Sequence, residues 1–324
     1  MKEISAIVLA SEAKKMWYTV EVISDELDIF TIKNKHKKVL FKNIDCGINN
    51  SLGVRFSRYK TLSYFMLWKH DIRVPESIVV KKWYTINSII KKLKDKNIKF
   101  PLVIKPSTGE HWNWVSVDIR TEKDIKKSIK NALSFYHQVI IQEFFPGKDH
   151  RLLVVGHTFV AAMNRIPAFI VGDWKNTIHN IIKKENMNPM RGEWHSNNLT
   201  KITIDTELKN YISSQWFTLQ SIIPKNKKLF LRKNANLSTW GISVDVTDNV
   251  HPEIKKMAEK ASKVLDLKVC GIDYLSLDIS KPLSQQKWWI IEVNHTPWLR
   301  WHHFPAIGKP RNVAKAILQL AFKK

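Results

Sequence analysis

Glycine is scarce in this chain of 324 residues: there are 10, about 3% of the total, where ordinary proteins carry about 7%. That leaves few places where the backbone can turn left-handed, or pass close to a ligand, at no steric cost. Cysteine is scarcer still, with Cys46 and Cys270 far apart and matching no metal or redox spacing. A disulfide scaffold is excluded, and a reduced, cytoplasmic compartment is the expectation. No apolar run approaches the roughly 20 residues of a membrane span. The opening "MKEISAIVLASEAKK" has a short apolar stretch, but Glu3 precedes it and charged residues follow, so it reads as a first β-strand and not as a signal peptide.

Acidic residues are few as well, 29 against 53 Lys and Arg, for a net charge of +24. Such a balance invites a nucleic-acid reading, because basic surfaces release counterions from phosphate backbones. The lysines are scattered, however, and no helix-turn-helix, zinc or RNA-binding signature accompanies them. With the abundant Ile and Asn they fit drift in an AT-rich genome, and anionic substrates and nucleotides are the better use of the charge. What the chain has in excess is tryptophan, 13 in all. Gly and Trp together make up about 7% of the residues, the ordinary share of glycine alone.

The order of elements points to an α+β protein. "SAIVLA", "SEAKKM" and "YTVEVI" read as strand, helix and strand, with Ser11 as the helix N-cap, and open a small α/β domain over residues 1–75. "RYKTLSYFMLWKHDIRVPES" is an amphipathic helix ended by Pro75 that joins this domain to the next. A first lobe over 76–145 contains the buried strand "FPLVIKPSTG" and the lysine-faced helix "EKDIKKSIKNALSF"; a second lobe over 146–324 holds the rest. Within it, residues 183–200, "KKENMNPMRGEWHSNNLT", read as a mobile polar loop, and "CGIDYLSLDIS" and "WWIIEVNHTP" read as strands.

Chemistry gathers at strand ends. Lys105 follows the apolar "LVI", so a sheet would hold its ammonium at a fixed point suited to a phosphate oxygen. Glu143 ends another buried strand just before an aromatic pair, where a carboxylate and free backbone groups can read a purine edge. Glu292 and Asn294 lie two apart and so face one side of their strand, and Asp273 on a neighbouring strand would complete an all-oxygen site for Mg²⁺ with nucleotide phosphates. Arg232, Asn236, Arg300, His302 and His303 are candidate contacts to phosphate or carboxylate. The histidine pair lacks the partners that a transition metal would need.

Taken together, "FPLVIKPSTGEH", "QEFFPGKDHRLLVVG", "GIDYLSLDISKPL" and "IIEVNHTPWLRWHHFP", in this order and spacing, resemble the ATP-grasp superfamily, and within it the ATP-grasp region of cyanophycin synthetase and its relatives. The resemblance is specific from about residue 100 to 312 and loose before that. It implies two α+β lobes clamping a nucleotide, preceded by the small domain, and an ATP-dependent ligase that activates a carboxylate as an acyl phosphate and captures it with an amine. Carried over residue by residue, Lys105 would hold the ATP phosphates with Ser107 and Gly109 framing its loop, and Glu143 and Phe145 would meet the base. Asp149 is a weaker candidate for the ribose. Asp273, Glu292 and Asn294 would hold Mg²⁺; Arg232 and Arg300 would stabilise the transferring phosphoryl group; Arg151, Arg165 and His195 would face the substrate. An amino acid or short peptide is the expected substrate, nucleic acid and membrane are not expected partners, and a homodimer is compatible with the sequence. The other readings are a non-catalytic relative serving as a binding module and a basic nucleic-acid binder.

The sequence departs from this family in one direction. Trp112, Trp114, Trp174, Trp240 and Trp298 stand where the relatives have glycine, and Trp17, Trp194 and Trp216 also fall at glycine-like positions. Degeneration of an enzyme would scatter substitutions over many residue types and would not spare the lysine, arginines and carboxylates. A UGA codon that the source reads as glycine, rendered as tryptophan, accounts for the single direction.

Overall fold

The computed structural model describes residues 1–108, 115–192, 197, 199–233, 235 and 240–323. The chain opens with helix α1 (Ile4–Lys15), so the strand expected at "SAIVLA" is corrected, and Ser11 lies inside the helix rather than capping it. Ala6, Leu9, Ala10 and Ala13 are all buried, the spacing of one helical face; a six-residue apolar run is too short to separate that period from a strand. The antiparallel sheet β1 (Thr19–Ser24), β2 (Ile29–Lys33) and β3 (Lys38–Lys42) follows, then α2 (Ser51–Arg58) and α3 (Lys60–Lys69). Helix α3 therefore stops well before Pro75. The first segment is thus a helix on an antiparallel meander and not a strand-helix-strand unit, and its apolar residues share one core with Leu153, Ala161, Leu299 and Ile317 from the far end of the chain.

The middle of the chain forms a four-stranded antiparallel sheet in the order β4 (Ser77–Lys81), β7 (Gln138–Glu143), β5 (Leu102–Pro106) and β6 (Ser116–Ile119), with α4 (Ile86–Asp95) and α5 (Glu122–Leu133) packed on it. Thr85 and Thr121 cap these helices, each accepting a hydrogen bond at 3.2 Å from the backbone three residues on.

A five-stranded antiparallel sheet dominates the remainder. Its members are β8 (Lys148–Val155) and β9 (Thr158–Ile166), then, beyond β10 (Phe169–Val171), α6 (Ile178–Glu185), β11 (Arg191–Gly192), β12 (Leu199–Thr200), α7 (Thr206–Ser213) and β13 (Lys228–Phe230), strands β14 (Ile242–Asp245), β15 (Val269–Ser276) and β16 (Trp288–Asn294). The spatial order is β14-β9-β8-β15-β16. The stretch read as a polar loop at 183–200 begins in α6 and holds the short parallel pair β11 and β12. Helix α8 (Pro252–Val264) covers one face of the sheet through Ile254, Ala258 and Ala261, while α9 (Arg300–His303) and α10 (Val313–Ala321) close the chain, with α10 against α1. No described helix is long and apolar enough to cross a membrane.

Candidate nucleotide and carboxylate site

Period-two alternation divides β8 cleanly. His150 and Leu152 are buried on the side of α8, whereas Asp149 and Arg151 turn to the opposite side and line a cavity of about 1070 Å³. Register then lines up the charges: Arg151 is opposite Asp273, and Asp273 is opposite Glu292, with Asn294 two residues further along β16. From β9, Arg165 is opposite Asp149. Four strands thus carry an ordered row of opposite charges on the floor of the cavity.

Those charges neutralise one another. Arg165 donates to Asp149 Oδ1 from Nε at 3.1 Å and from Nη2 at 2.5 Å, and its Nη2 lies 3.2 Å from Asp273 Oδ2. Arg151 pairs with Asp273 Oδ1. Burial tends to raise Asp273, but Arg151 and Arg165 outweigh it and hold the carboxyl below its usual range. Asp149 has mainly Arg165, and burial still lifts it to about 6.

Lys105, expected at the phosphates, sits on β5 with its ammonium directed at the same floor; it is 7% exposed. Its Nζ donates to Tyr64 Oη at 3.0 Å and to the Ile291 carbonyl at 3.4 Å, and Tyr64 in turn donates to that carbonyl at 2.7 Å. The carbonyl is free because of a β-bulge. The register of β15 on β16 passes from Asp273↔Glu292 to Tyr274↔Ile290, leaving Ile291 unpaired on that side. Burial depresses the Lys105 ammonium to about 7, and neighbouring Lys60 pushes the same way against Glu292 and Asp273.

Lys60 and Tyr64 are site residues that the sequence reading missed. They lie four apart, hence on one face of α3, the helix expected only to join the first domain to the next. Lys60 Nζ is 3.0 Å from Glu292 Oε1, and its backbone N–H donates to the carbonyl of Ser107 at 3.1 Å. Ser107 is buried at the end of β5 and so helps to seat this helix against the first sheet.

At the other side of the cavity, Glu143 ends β7 and pairs with Lys287 at 2.8 Å, while Phe145 is buried edge-on against Trp289 with ring centroids 5.4 Å apart. Gly147 is required there, because a Cβ would lie 2.7 Å from the Phe145 ring. Arg232 also lines the cavity. Its guanidinium is gripped by Asp205 and Glu207 and lies 4.3 Å from the Trp240 ring; Asp205 at the same time caps α7, accepting from the Leu208 N–H at 2.8 Å.

Arg300, His302 and His303 do not line the cavity. Arg300 is buried in α9, where its guanidinium has no hydrogen-bond partner among the described residues, and burial lowers it to about 10 against the charge of Glu3. Burial also drives His302 to about 3 and His303 to about 4, so both are neutral at pH 7. Helix α9 nevertheless borders the cavity through Trp301 and packs against α1 and β9, so which of its side chains meets the cavity is set by packing that strand spacing does not encode. Gly109, His195 and Asn236 lie outside the described residues, as do Trp112, Trp114 and Trp194.

Residues 57–212 match the RimK-like ATP-grasp domain. The same stretch carries Lys60, Tyr64, Lys105 and the Asp149–Arg165 pair, and cyanophycin synthetase from Crocosphaera subtropica is 40% identical over 286 residues, covering 87% of this chain and 32% of the relative. Residues 57–212 form a RimK-like ATP-grasp domain. The glutathione biosynthesis bifunctional protein of Listeria welshimeri is 30% identical over 293 residues, covering 90% of the chain and 37% of that protein. The chain thus spans about a third of the length of the curated relatives it matches. In fold, the chain is similar to a bifunctional glutathione synthetase from Pasteurella multocida, with a TM-score of 0.76 at 24% identity over 99% of this chain and 44% of that one.

An ATP-grasp site implies a divalent cation, and the donors at hand suit one. Asp273, Glu292 and Asn294 are hard oxygen donors on adjacent strands, and the two carboxylates are at present balanced by cations, Arg151 and Arg165 on Asp273 and Lys60 on Glu292. Ionised carboxylates have about four acceptor directions each, so these pairings leave room for a metal.

Proposed function

We propose that this chain is an ATP-dependent carboxylate-amine ligase acting on an amino acid or short peptide. The observation that carries the reading is the convergence of Lys60, Lys105, Arg232, Asp273 and Glu292 on one cavity. Lys105 and Lys60 would neutralise the phosphates of ATP, and Glu143 with Phe145 would flank the base. Asp273, Glu292 and Asn294 would hold Mg²⁺, which supplies charge neutralisation for the phosphates. In the first step a substrate carboxylate oxygen bonds to the γ-phosphorus and the bond to ADP breaks, giving an acyl phosphate. An amine then bonds to the acyl carbon, phosphate leaves with the electron pair, and the nitrogen gives up a proton. Arg232 and Arg151 serve by spreading the negative charge that builds in both steps. Arg165 and Asp149 act less directly, holding Asp273 and the floor in register.

Arg300 enters this scheme only as a buried charge outside the cavity lining. A cytoplasmic setting and a small-molecule or peptide partner go with the proposal. The test is ADP release dependent on both a carboxylate and an amine, across amino acids and dipeptides, together with hydroxylamine trapping of the acyl phosphate. Glu292→Gln is expected to abolish trapping; trapping that survives in this variant, or ADP release indifferent to the amine, would refute the proposal. A non-catalytic binding module is the second reading, favoured by one observation: Trp240 lies against Arg232, and the stacked Trp298 and Trp301, 5.1 Å between centroids, line the same cavity. It predicts that the protein with glycine restored at the tryptophan positions also fails to bind Mg-ATP.

A further inference from the structure

Twelve described residues other than glycine hold a left-handed backbone, with φ between +49° and +70°. Eight of them are Asp, Asn or His, the types that tolerate this region best. The other four are Trp17, Trp174, Trp216 and Trp240, at +62°, +66°, +67° and +70°. No described Phe or Tyr, and no described aliphatic residue, shares the conformation. A preference for bulk therefore does not account for it.

Two of the four sit at helix ends. After α1, the Trp17 N–H donates to the Lys14 carbonyl at 3.0 Å and the Tyr18 N–H to that of Ala13 at 2.9 Å; after α7, the Trp216 N–H donates to Ser213 and the Phe217 N–H to Ile212, both at 3.0 Å. This paired bonding is the helix stop that glycine makes best, because it has no Cβ to meet the preceding carbonyl. The indoles gain nothing in return: Trp17 is 95% exposed and Trp216 is 96% exposed. Trp174 sits in a polar turn in which the Asp173 side chain accepts from the Lys175 and Asn176 N–H groups at 2.9 and 2.8 Å. Trp240 is buried, and its indole covers the guanidinium of Arg232.

We infer that positions 17, 174, 216 and 240 are glycine in the working protein, the tryptophans arising from a UGA codon that the producing organism reads as glycine, and that glycine at 240 uncovers Arg232 for the cavity. Trp298, which has no left-handed backbone, is outside the inference. So are Trp68 and Trp83, exposed residues of ordinary backbone.

The gene provides the first test: UGA is expected at all four positions, and UGG at any one of them overturns the assignment. Thermal melts of the full chain provide a second, independent of any activity. At 17 and 216 the glycine variant is expected to melt higher than the alanine variant, the reverse of the order at Trp68 in α3, where glycine loses to alanine. Alanine equal to or better than glycine at both sites overturns it. The statement about Arg232 rests on the proposed ligase reading. Mg-ATP titrated into the protein with glycine at all four positions should bind at least about tenfold more tightly than into the same protein retaining Trp240. Equal affinities would overturn the role of position 240, whereas binding to neither, with glycine placed at 112, 114 and 298 as well, would sink the ligase reading and leave the codon and melting results standing.

Discussion

Replacing Arg165 by Met tests the charge row on the cavity floor. The guanidinium is buried and bridges two carboxylates, at 2.5 and 3.1 Å to Asp149 and 3.2 Å to Asp273. Methionine keeps much of the volume and removes the charge, leaving Asp149 buried without its main partner. Breaking a buried pair from one side costs about 3–5 kcal/mol. The pH dependence makes the prediction specific. Asp149 titrates near 6 in the folded protein against 3.8 in model peptides, so the folded state holds its proton more tightly and this group's contribution to stability falls as pH rises from about 4 to 6. Two units correspond to about 3 kcal/mol. Without Arg165 the carboxyl rises further, so the fall extends above pH 6, and Arg165→Met should cost less at pH 5, where Asp149 is already mostly protonated, than at pH 8. Urea unfolding at both pH values measures this directly, and adding Asp149→Asn should recover part of the loss. A cost below about 1 kcal/mol, one that does not grow with pH, or a double variant that loses the sum of both singles would refute the electrostatic argument.

Three further outcomes are expected. Tyr64→Phe removes the hydroxyl that joins Lys105 to the Ile291 carbonyl, leaving one contact at 3.4 Å, and should weaken nucleotide affinity by about 1–2 kcal/mol in an equilibrium titration. Because Lys105 titrates near 7, nucleotide binding that needs its ammonium should be full below pH 7 and decline as pH rises above it; calorimetry in buffers of different ionisation enthalpy should detect proton uptake at pH 8, and Lys105→Arg should abolish that uptake. Gly271→Ala places a Cβ 2.8 Å from Arg151 Nη1 and from Pro297 Cβ, displacing Arg151 from Asp273; turnover should fall by up to about 100-fold in the ADP-release assay, while the melting temperature changes little by comparison.

Much of the site was legible because strand chemistry is local. Apolar runs that end in a charge, as at Lys105 and Glu143, mark where a buried strand leaves the sheet, and the two-residue spacing of Glu292 and Asn294 places them on one face. Both features survive in the structure, where Asp273 is opposite Glu292. Other features were not legible. Lys60 and Tyr64 belong to the site only because α3 packs across the end of the first sheet, and nothing within "RYKTLSYF" states which surface that helix face will meet. The six apolar residues after Glu3 could satisfy either period, and the shared core with α10 settles them as helix. Arg300 is near Asn294 in sequence, but α9 turns Trp301 to the cavity and buries Arg300 away from it.

What the sequence determined by itself were quantities set by residue type and short-range spacing: an α+β chain, a phosphate-seeking lysine after a buried strand, oxygen donors two apart, and a shortage of glycine matched by an excess of tryptophan. Tertiary structure decided what depends on distant segments meeting. Register across four strands turned separate Asp, Glu and Arg residues into one neutralised row, a bulge at Ile291 released the carbonyl that seats Tyr64 and Lys105, and the sign of φ singled out four indoles at backbone positions suited to glycine. The physical reason is range: side-chain chemistry and periodicity act over a few residues, whereas pairing register and backbone handedness at a turn are fixed by the packing of the whole chain.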